Sequence, residues 1–186
     1  MRPHLRHSGA NPFSGWDMRT LLDNQASLRK DHPFIIWEPF EGAPKTWTYG
    51  QFGRETKQLA TGLARRGVKQ GDFVLVHLEN SPEFLLAWSA CARLGAVAVT
   101  TNTRSAGEEL TYYADNAGVS AAITQPKFAD LVATSCKDLR FMAVTATDAG
   151  DSPAVGAARD LPFEDLFDED INKGVARGPR RMRRSA

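Results

Sequence analysis

Between residues 73 and 145 the chain alternates short unbroken apolar runs with longer stretches in which apolar residues recur every three or four positions. The runs are FVLVHL (73–78), AVAVT (96–100), VSAAIT (119–124) and RFMAVT (140–145). Runs of this kind are the signature of strands buried on both faces of a parallel sheet. One helical segment separates each from the next, which is the rhythm of βαβ units. The pattern therefore predicts an α/β fold: a parallel sheet with flanking helices.

The helical segments carry their own punctuation. Thr48 and Gln51 form a T-x-x-Q capping box, with Trp47 and Phe52 at the two staple positions. From there Phe52, Thr56, Leu59, Ala60 and Leu63 recur on one face until Gly67 closes the helix. A second helix, 82–94, has Asn80 or Ser81 as its cap, Pro82 in its first turn and Gly95 after its end. It is apolar nearly all round, so both flanks are expected to be covered, with Leu85 and Trp88 buried. Ser105 and Glu108 read as the capping box of a third helix, with Leu110, Tyr113, Ala114 and Ala117 inward and Gly118 ending it. A shorter helix is expected around 128–132. Upstream, Met18–Lys30 reads as a helix with Leu21, Leu22 and Leu28 on a modest apolar face. PFIIWEPF and KTWTY read as two strands joined by an EGAP turn.

The periodicity also sets boundaries. Residues 1–16 carry no period and read as a loose entry segment, 17–146 as one α/β subdomain, and 147–186 as an irregular tail, first acidic and then basic. Residues 160–170 hold six acids, whereas 176–186 hold five arginines and no acid. With a formal net charge of +1 for all 186 residues, the rest of the chain is net negative. That argues against a basic nucleic-acid-binding face. Cys91 and Cys136 suggest neither a disulfide framework nor a metal site, and a reducing compartment is the default. The basic N-terminus has no apolar h-region behind it. The most apolar window, Phe84–Val99, is broken by Arg93 and falls short of the roughly 20 residues a membrane span needs. A cytoplasmic protein without a membrane segment is expected.

Few residues advertise chemistry. GLARRGVK (62–69) approaches a phosphate-loop pattern, but Val68 stands where the lysine belongs and the segment is helical, so Gly67 as a helix terminator explains it better. His77 and Glu79 could share a sheet face and act as an acid–base pair, though a histidine hydrogen-bonded at a strand end is the simpler reading. His4 and His7 lie in the aperiodic N-terminus, and no metal site is assigned to them. Arg104, in TNTRS, follows a buried strand, at the sheet end where α/β proteins bind ligands. Its guanidinium can fork onto a phosphate or carboxylate, or pair with Glu108 or Glu109, or simply be solvated.

TWTYGQF, and GVKQGDFVLVHLENSPEFLLAWSACARLGAVAVTTNTRSAGEELTYYADNAGVSAAIT after it, resemble the N-terminal part of the AMP-forming adenylating enzymes. This superfamily includes acyl-CoA synthetases, luciferases and peptide-synthetase adenylation domains. The likeness runs from about 46 to 134 and is carried by Gly71-Asp72, Asn80 to Phe84, Leu94-Gly95-Ala96, and Asn102 with Arg104 ahead of Glu109-Leu110. Within the superfamily it is most similar to small-acid CoA ligases of the crotonobetaine/carnitine type.

The resemblance implies that the sheet belongs to the N-terminal domain of the adenylating fold. It implies a ligase using ATP, CoA and magnesium on a small carboxylic acid. Arg104 matches an arginine that in related ligases helps hold the CoA nucleotide phosphates, while Thr100 departs from the family's usual proline. The triphosphate-gripping stretch expected after about residue 170 is replaced by NKGVARGPRRMRRSA. A truncated ligase is therefore expected, with no catalytic or metal-binding residue in this stretch, inactive alone and binding none of these cofactors tightly. The alternatives are a non-catalytic interaction module, or a binder of nucleic acid or another acidic partner using the arginine tail.

Overall fold

A computed structural model describes residues 16–39, 41–150 and 161–170. Five runs of this chain, Phe73–His77 (β3), Val97–Thr100 (β4), Val119–Thr124 (β5), Met142–Val144 (β6) and Leu161–Pro162 (β7), make one sheet in the order β4-β3-β5-β6-β7. Every neighbouring pair is parallel, with Val76 opposite Thr100 and Ile123. Helices Pro82–Leu94 (α3) and Gly107–Ala117 (α4) connect β3 to β4 and β4 to β5, and a turn at 126–128 with Ala129–Ser135 (α5) leads to β6.

β3, β5 and β6 are apolar without alternation because helices cover both their faces, whereas the edge strand β4, expected to be buried as well, leaves Val97 and Thr100 exposed. Val74, Val76, Ala121, Ile123 and Ala143 pack on α3 and on Tyr49–Arg65 (α2), whereas Leu75, Ala122, Met142 and Val144 pack on α4 and α5. The four strands expected from the sequence are thus present and parallel, and the architecture is a doubly wound α/β sheet.

On the α2 side stand Met18–Leu28 (α1) and the antiparallel pair Pro33–Trp37 (β1) and Lys45–Thr48 (β2). The Thr48–Gln51 capping box forms as expected, with Thr48 Oγ1 accepting from the Gln51 N–H and Gln51 Oε1 from the Thr48 N–H. The staple residues Trp47 and Phe52 are both buried. Ser81 caps α3, and Gly95 ends it in the left-handed conformation at φ +70°. Arg93, read as a break in an apolar window, is buried. Its Nε donates to Thr56 Oγ1 at 3.1 Å and its Nη2 to Asp23 Oδ1 at 2.9 Å, with Lys57 also on Asp23 at 3.0 Å. Burial works against the Asp23 carboxylate, but these two cations outweigh it and hold its pKa below the ordinary value. This ionic bridge joins α1 to the core alongside the half-buried Leu22.

Five expectations are corrected. Tyr113, expected on the inward face of α4, is exposed, and only Leu110 and Ala114 of that helix are buried. Leu85 and Trp88 are 41% and 38% exposed. The outer flank of α3 is not sealed, because α1 and Phe34 stand off from it and leave an apolar groove of about 310 Å³ between them. Leu28 is 79% exposed, at the end of a helix that contacts the core through its middle. The capping box of α4 is displaced by one residue: Glu109 accepts from the Ala106 N–H, and Ala106 has no side-chain oxygen to reciprocate. The chain past 147 is not irregular throughout, since β7 extends the sheet and the turn Phe163–Leu166 buries both its end residues in the α2–α3 core. The signal there is too short for a periodicity to register. Residues 1–15, 151–160 and 171–186, with the loose N-terminus and the arginine tail, lie outside the described residues.

That turn docks through a glycine. A Cβ on Gly62 of α2 would overlap the Leu166 carbonyl oxygen, so the helix and the turn touch only because no side chain intervenes. Gly62→Ala is therefore expected to lower the stability of the chain by about 1–3 kcal/mol. Urea denaturation measures it, and an unchanged midpoint would show that the 163–166 turn is not part of the cooperative core.

Candidate functional site

The parallel sheet presents its carboxyl ends together, and the loops leaving β3, β4 and β6 surround a cleft of about 670 Å³. Leu78, Glu79 and Asn80 follow β3, Thr101, Asn102 and Thr103 follow β4, Asp148 and Ala149 follow β6, and Trp37 and Phe84 add aromatic walls. In doubly wound sheets this end, next to the point where the strand order reverses, is where ligands bind. Here the reversal lies between β3 and β5.

The crevice at that point is filled by Gln125, which is 1% exposed. Its Oε1 accepts from the Glu79 N–H at 2.8 Å, and its Nε2 donates to Glu79 Oε2 and Asp148 Oδ1, each at 3.2 Å. Asp148 also accepts from the Lys127 N–H at 2.9 Å. Lys127 Nζ pairs with Glu79 at 2.7 Å, and this bond, ahead of burial, sets the Glu79 pKa below its ordinary value. One amide thus ties together the three loops after β3, β5 and β6. Beside it Ala149 holds φ at +54°, a conformation costly for a residue with a Cβ and one that clusters at functional sites.

His77 and Glu79 are not brought together. The His77 ring is fully buried and its Nδ1 meets Thr101 Oγ1 at 2.7 Å, while Glu79 turns to Gln125 and Lys127. The hydrogen-bonded histidine at a strand end is the reading that holds. The segment 62–69 is helical up to residue 65, and Gly67 adopts φ +87°, as a terminator does. Both cysteines are buried. Burial pushes the Cys91 thiol up to about 12 and that of Cys136 in the same direction, which disfavours the thiolate form at both.

Arg104 lies in the loop after β4, exposed, one residue beyond Thr103 of the cleft wall. Its N–H donates to Asn102 Oδ1 at 2.9 Å, and its guanidinium pairs with neither Glu108 nor Glu109. Gln125, Asp148 and Thr101 were not singled out from the sequence. Gln125 directly follows the buried strand β5, a stronger form of the positional signal carried by Arg104 in the loop past the edge strand β4, whereas Asp148 lies where the periodicity fades.

Fold and cleft together define a doubly wound α/β protein with a ligand cleft at the carboxyl ends of its strands. Residues 22–177 match the family model described as AMP-binding enzyme, and the chain belongs to that family. Crotonobetaine/carnitine–CoA ligase of Salmonella paratyphi B (strain ATCC BAA-1250 / SPB7) is 32% identical over 114 residues, which are 61% of this chain and 22% of that protein. A crystal structure assigned as a long-chain-fatty-acid CoA ligase from Rhodopseudomonas palustris CGA009 superimposes with a TM-score of 0.72 at 20% identity, over 89% of this chain and 39% of that one. Anthranilate CoA ligase AuaEII, solved with anthranoyl-AMP, does so with a TM-score of 0.66 at 20% identity, over 81% of this chain and 27% of that one. The chain thus spans well under half the length of these relatives. Among the described residues no helix is long and apolar enough to cross a membrane.

The AMP-binding family implies the use of ATP. Among the described residues no three His, Cys, Asp or Glu side chains gather into a metal site, and the cleft carboxylates Glu79 and Asp148 are committed to Lys127 and Gln125. This donor set does not fit a metal-bound triphosphate.

Truncating the central amide tests the construction of the cleft. Gln125→Ala leaves the Glu79 N–H and the buried Asp148 carboxylate short of partners, so a loss of about 1–3 kcal/mol in folding stability is expected. A thermal melt of the variant beside the parent measures it, and equal melting would mean that the three loops hold themselves.

Proposed function

We propose that this chain contributes the N-terminal sheet of an AMP-forming acid–CoA ligase. In that reaction a small carboxylate attacks the α-phosphate of ATP and expels pyrophosphate. The CoA thiol then attacks the acyl carbon of the mixed anhydride and displaces AMP. Family membership and the CoA-ligase names of the relatives support this reading. The described residues act in the second half-reaction as a platform: Arg104 neutralises a phosphate of the CoA nucleotide and orients the thiol's carrier, and the cleft beside it accepts part of the same molecule.

The observation that carries this role is a guanidinium left exposed, without an ion pair, at the carboxyl end of a central parallel sheet. No charged side chain of the described residues competes for it, so its fork is available to an anion. The groups for gripping triphosphate and magnesium are not supplied by this cleft, and the residues of 1–186 are proposed to make no adenylate alone.

Two measurements test the reading. In a full-length relative with arginine at this position, the counterpart of Arg104→Ala should weaken CoA binding by about 1–3 kcal/mol while leaving adenylate formation nearly intact. Equal loss in both half-reactions would assign the residue to folding instead. Carboxylate-dependent ATP–pyrophosphate exchange on purified 1–186, across a panel of small acids, should stay at the protein-free level. Exchange above that level would place adenylating groups within this chain.

A further inference from the structure

The hydrogen-bond ladder between β3 and β4 ends at Val76 opposite Thr100. The next cross-strand step is made by side chains: His77 Nδ1 meets Thr101 Oγ1 at 2.7 Å. On its other edge His77 still pairs with Thr124, whose Oγ1 donates to the His77 carbonyl at 2.9 Å. The ring therefore hangs the start of the β4–α4 loop from the middle strand of the sheet. Beyond Thr101 the loop is bonded within itself, Asn102 accepting from the Arg104 N–H through Oδ1 and from the Ser105 N–H through its carbonyl.

We propose that His77 and Thr101 form a positioning latch for the loop that carries Arg104, closed while the imidazole is neutral and released when it is protonated. The latch itself is a feature of the loop; its effect on ligand rests on the reading of Arg104 as a phosphate-gripping residue.

The surroundings of the ring make it sensitive to protons. His77 Nε2 is buried without a hydrogen-bond partner among the described residues, and the ring of Phe128 meets the imidazole edge-on at 4.8 Å. With its proton on Nδ1, donated to Thr101, the neutral ring leaves only an acceptor unmet at Nε2. A second proton there would bury an unmet N–H together with a positive charge; the Nδ1–H could still reach Thr101, so release is driven by the cost of that buried charge, which falls when the loop opens and water reaches the ring. The acids of the helices covering this face, Glu108, Glu109 and Asp115 of α4 and Asp130 of α5, are all exposed and none bonds the ring. β4 and β5 contain no charged residue, the 126–128 turn brings Lys127, and the loop brings Arg104. Glu79, two residues on from His77, is committed to Lys127 at 2.7 Å.

Burial alone lowers the His77 pKa below the ordinary 6.5. Less protonated when folded than when unfolded, His77 supports the closed state fully above that pH. The support is lost progressively as the pH falls through 6.5 toward the lowered value.

The test uses isotope-labelled chain 1–186 at about pH 7.5 and about pH 5.5, a range chosen to span histidine titration. Backbone relaxation reports the order of Thr103 and Arg104, ring resonances report His77, and CoA is titrated in parallel. In the parent protein the loop should be rigid at the higher pH and mobile at the lower, with a midpoint that follows the His77 ring. Thr101→Val should be mobile at both. His77→Asn, whose amide reaches the Nδ1 position and does not titrate, should be rigid at both. CoA affinity should fall roughly 2- to 10-fold wherever the loop is mobile, the worth of one hydrogen bond. A rigid loop in Thr101→Val would overturn the latch, as would equal pH dependence in the parent and His77→Asn. Thr101→Val decides the matter even if the histidine variant does not fold. Arg104→Ala separates the two readings: if it leaves CoA affinity unchanged, the phosphate role fails while relaxation still judges the latch.

Discussion

The middle strand β3 sets the terms for everything around it. It is hydrogen-bonded to β4 on one edge and β5 on the other, and Val74, Leu75 and Val76 are wholly buried. A strand in that position cannot be covered by its sequence neighbours on one side only. It requires α2 and α3 on one face and α4 and α5 on the other, and it requires the chain to step first to one edge and then back across to the other. That reversal gathers several loops at the carboxyl end, and the cleft follows from it.

Much of the fold was legible because local chemistry and global architecture agree. The Thr48–Gln51 box, the Ser81 cap before Pro82 and the left-handed Gly95 all mark boundaries by satisfying backbone groups within a few residues. The failures share a physical cause, since each depends on partners far along the chain. Leu85 and Trp88 look like core because α3 is apolar all round, yet what flanks a helix is decided by where α1 and Phe34 come to rest. Leu161–Pro162 is too short to carry a period, and its place in the sheet is fixed by β6 and by the docking of Phe163 and Leu166. Arg93 broke the apolar pattern because its partners, Thr56 and Asp23, lie 37 and 70 residues away.

The cleft was legible only by position. A polar residue in the loop past a parallel strand marks the functional end of such sheets, and that rule reaches Arg104. Applied evenly it reaches Gln125 as well. What it cannot supply is the division of labour among these residues. Gln125 spends both its amide donors and its carbonyl oxygen within the protein and shapes the site, whereas Arg104 is exposed. The distinction lies in three-dimensional partners, which is why the charged network of Glu79, Lys127 and Asp148 reads as scaffold once its bonds are seen.

The contact between Gly62 and the Leu166 carbonyl also orders events in time. The two residues are separated by about a hundred positions, so the face of α2 that receives the turn has no covering until Leu166 has been made. At roughly 5–20 residues per second, a ribosome leaves that face waiting for about 5–20 s. Throughout that interval the helix presents to the cell an apolar surface that its own later sequence is destined to close, and a late-arriving, ten-residue segment becomes the step that finishes the core.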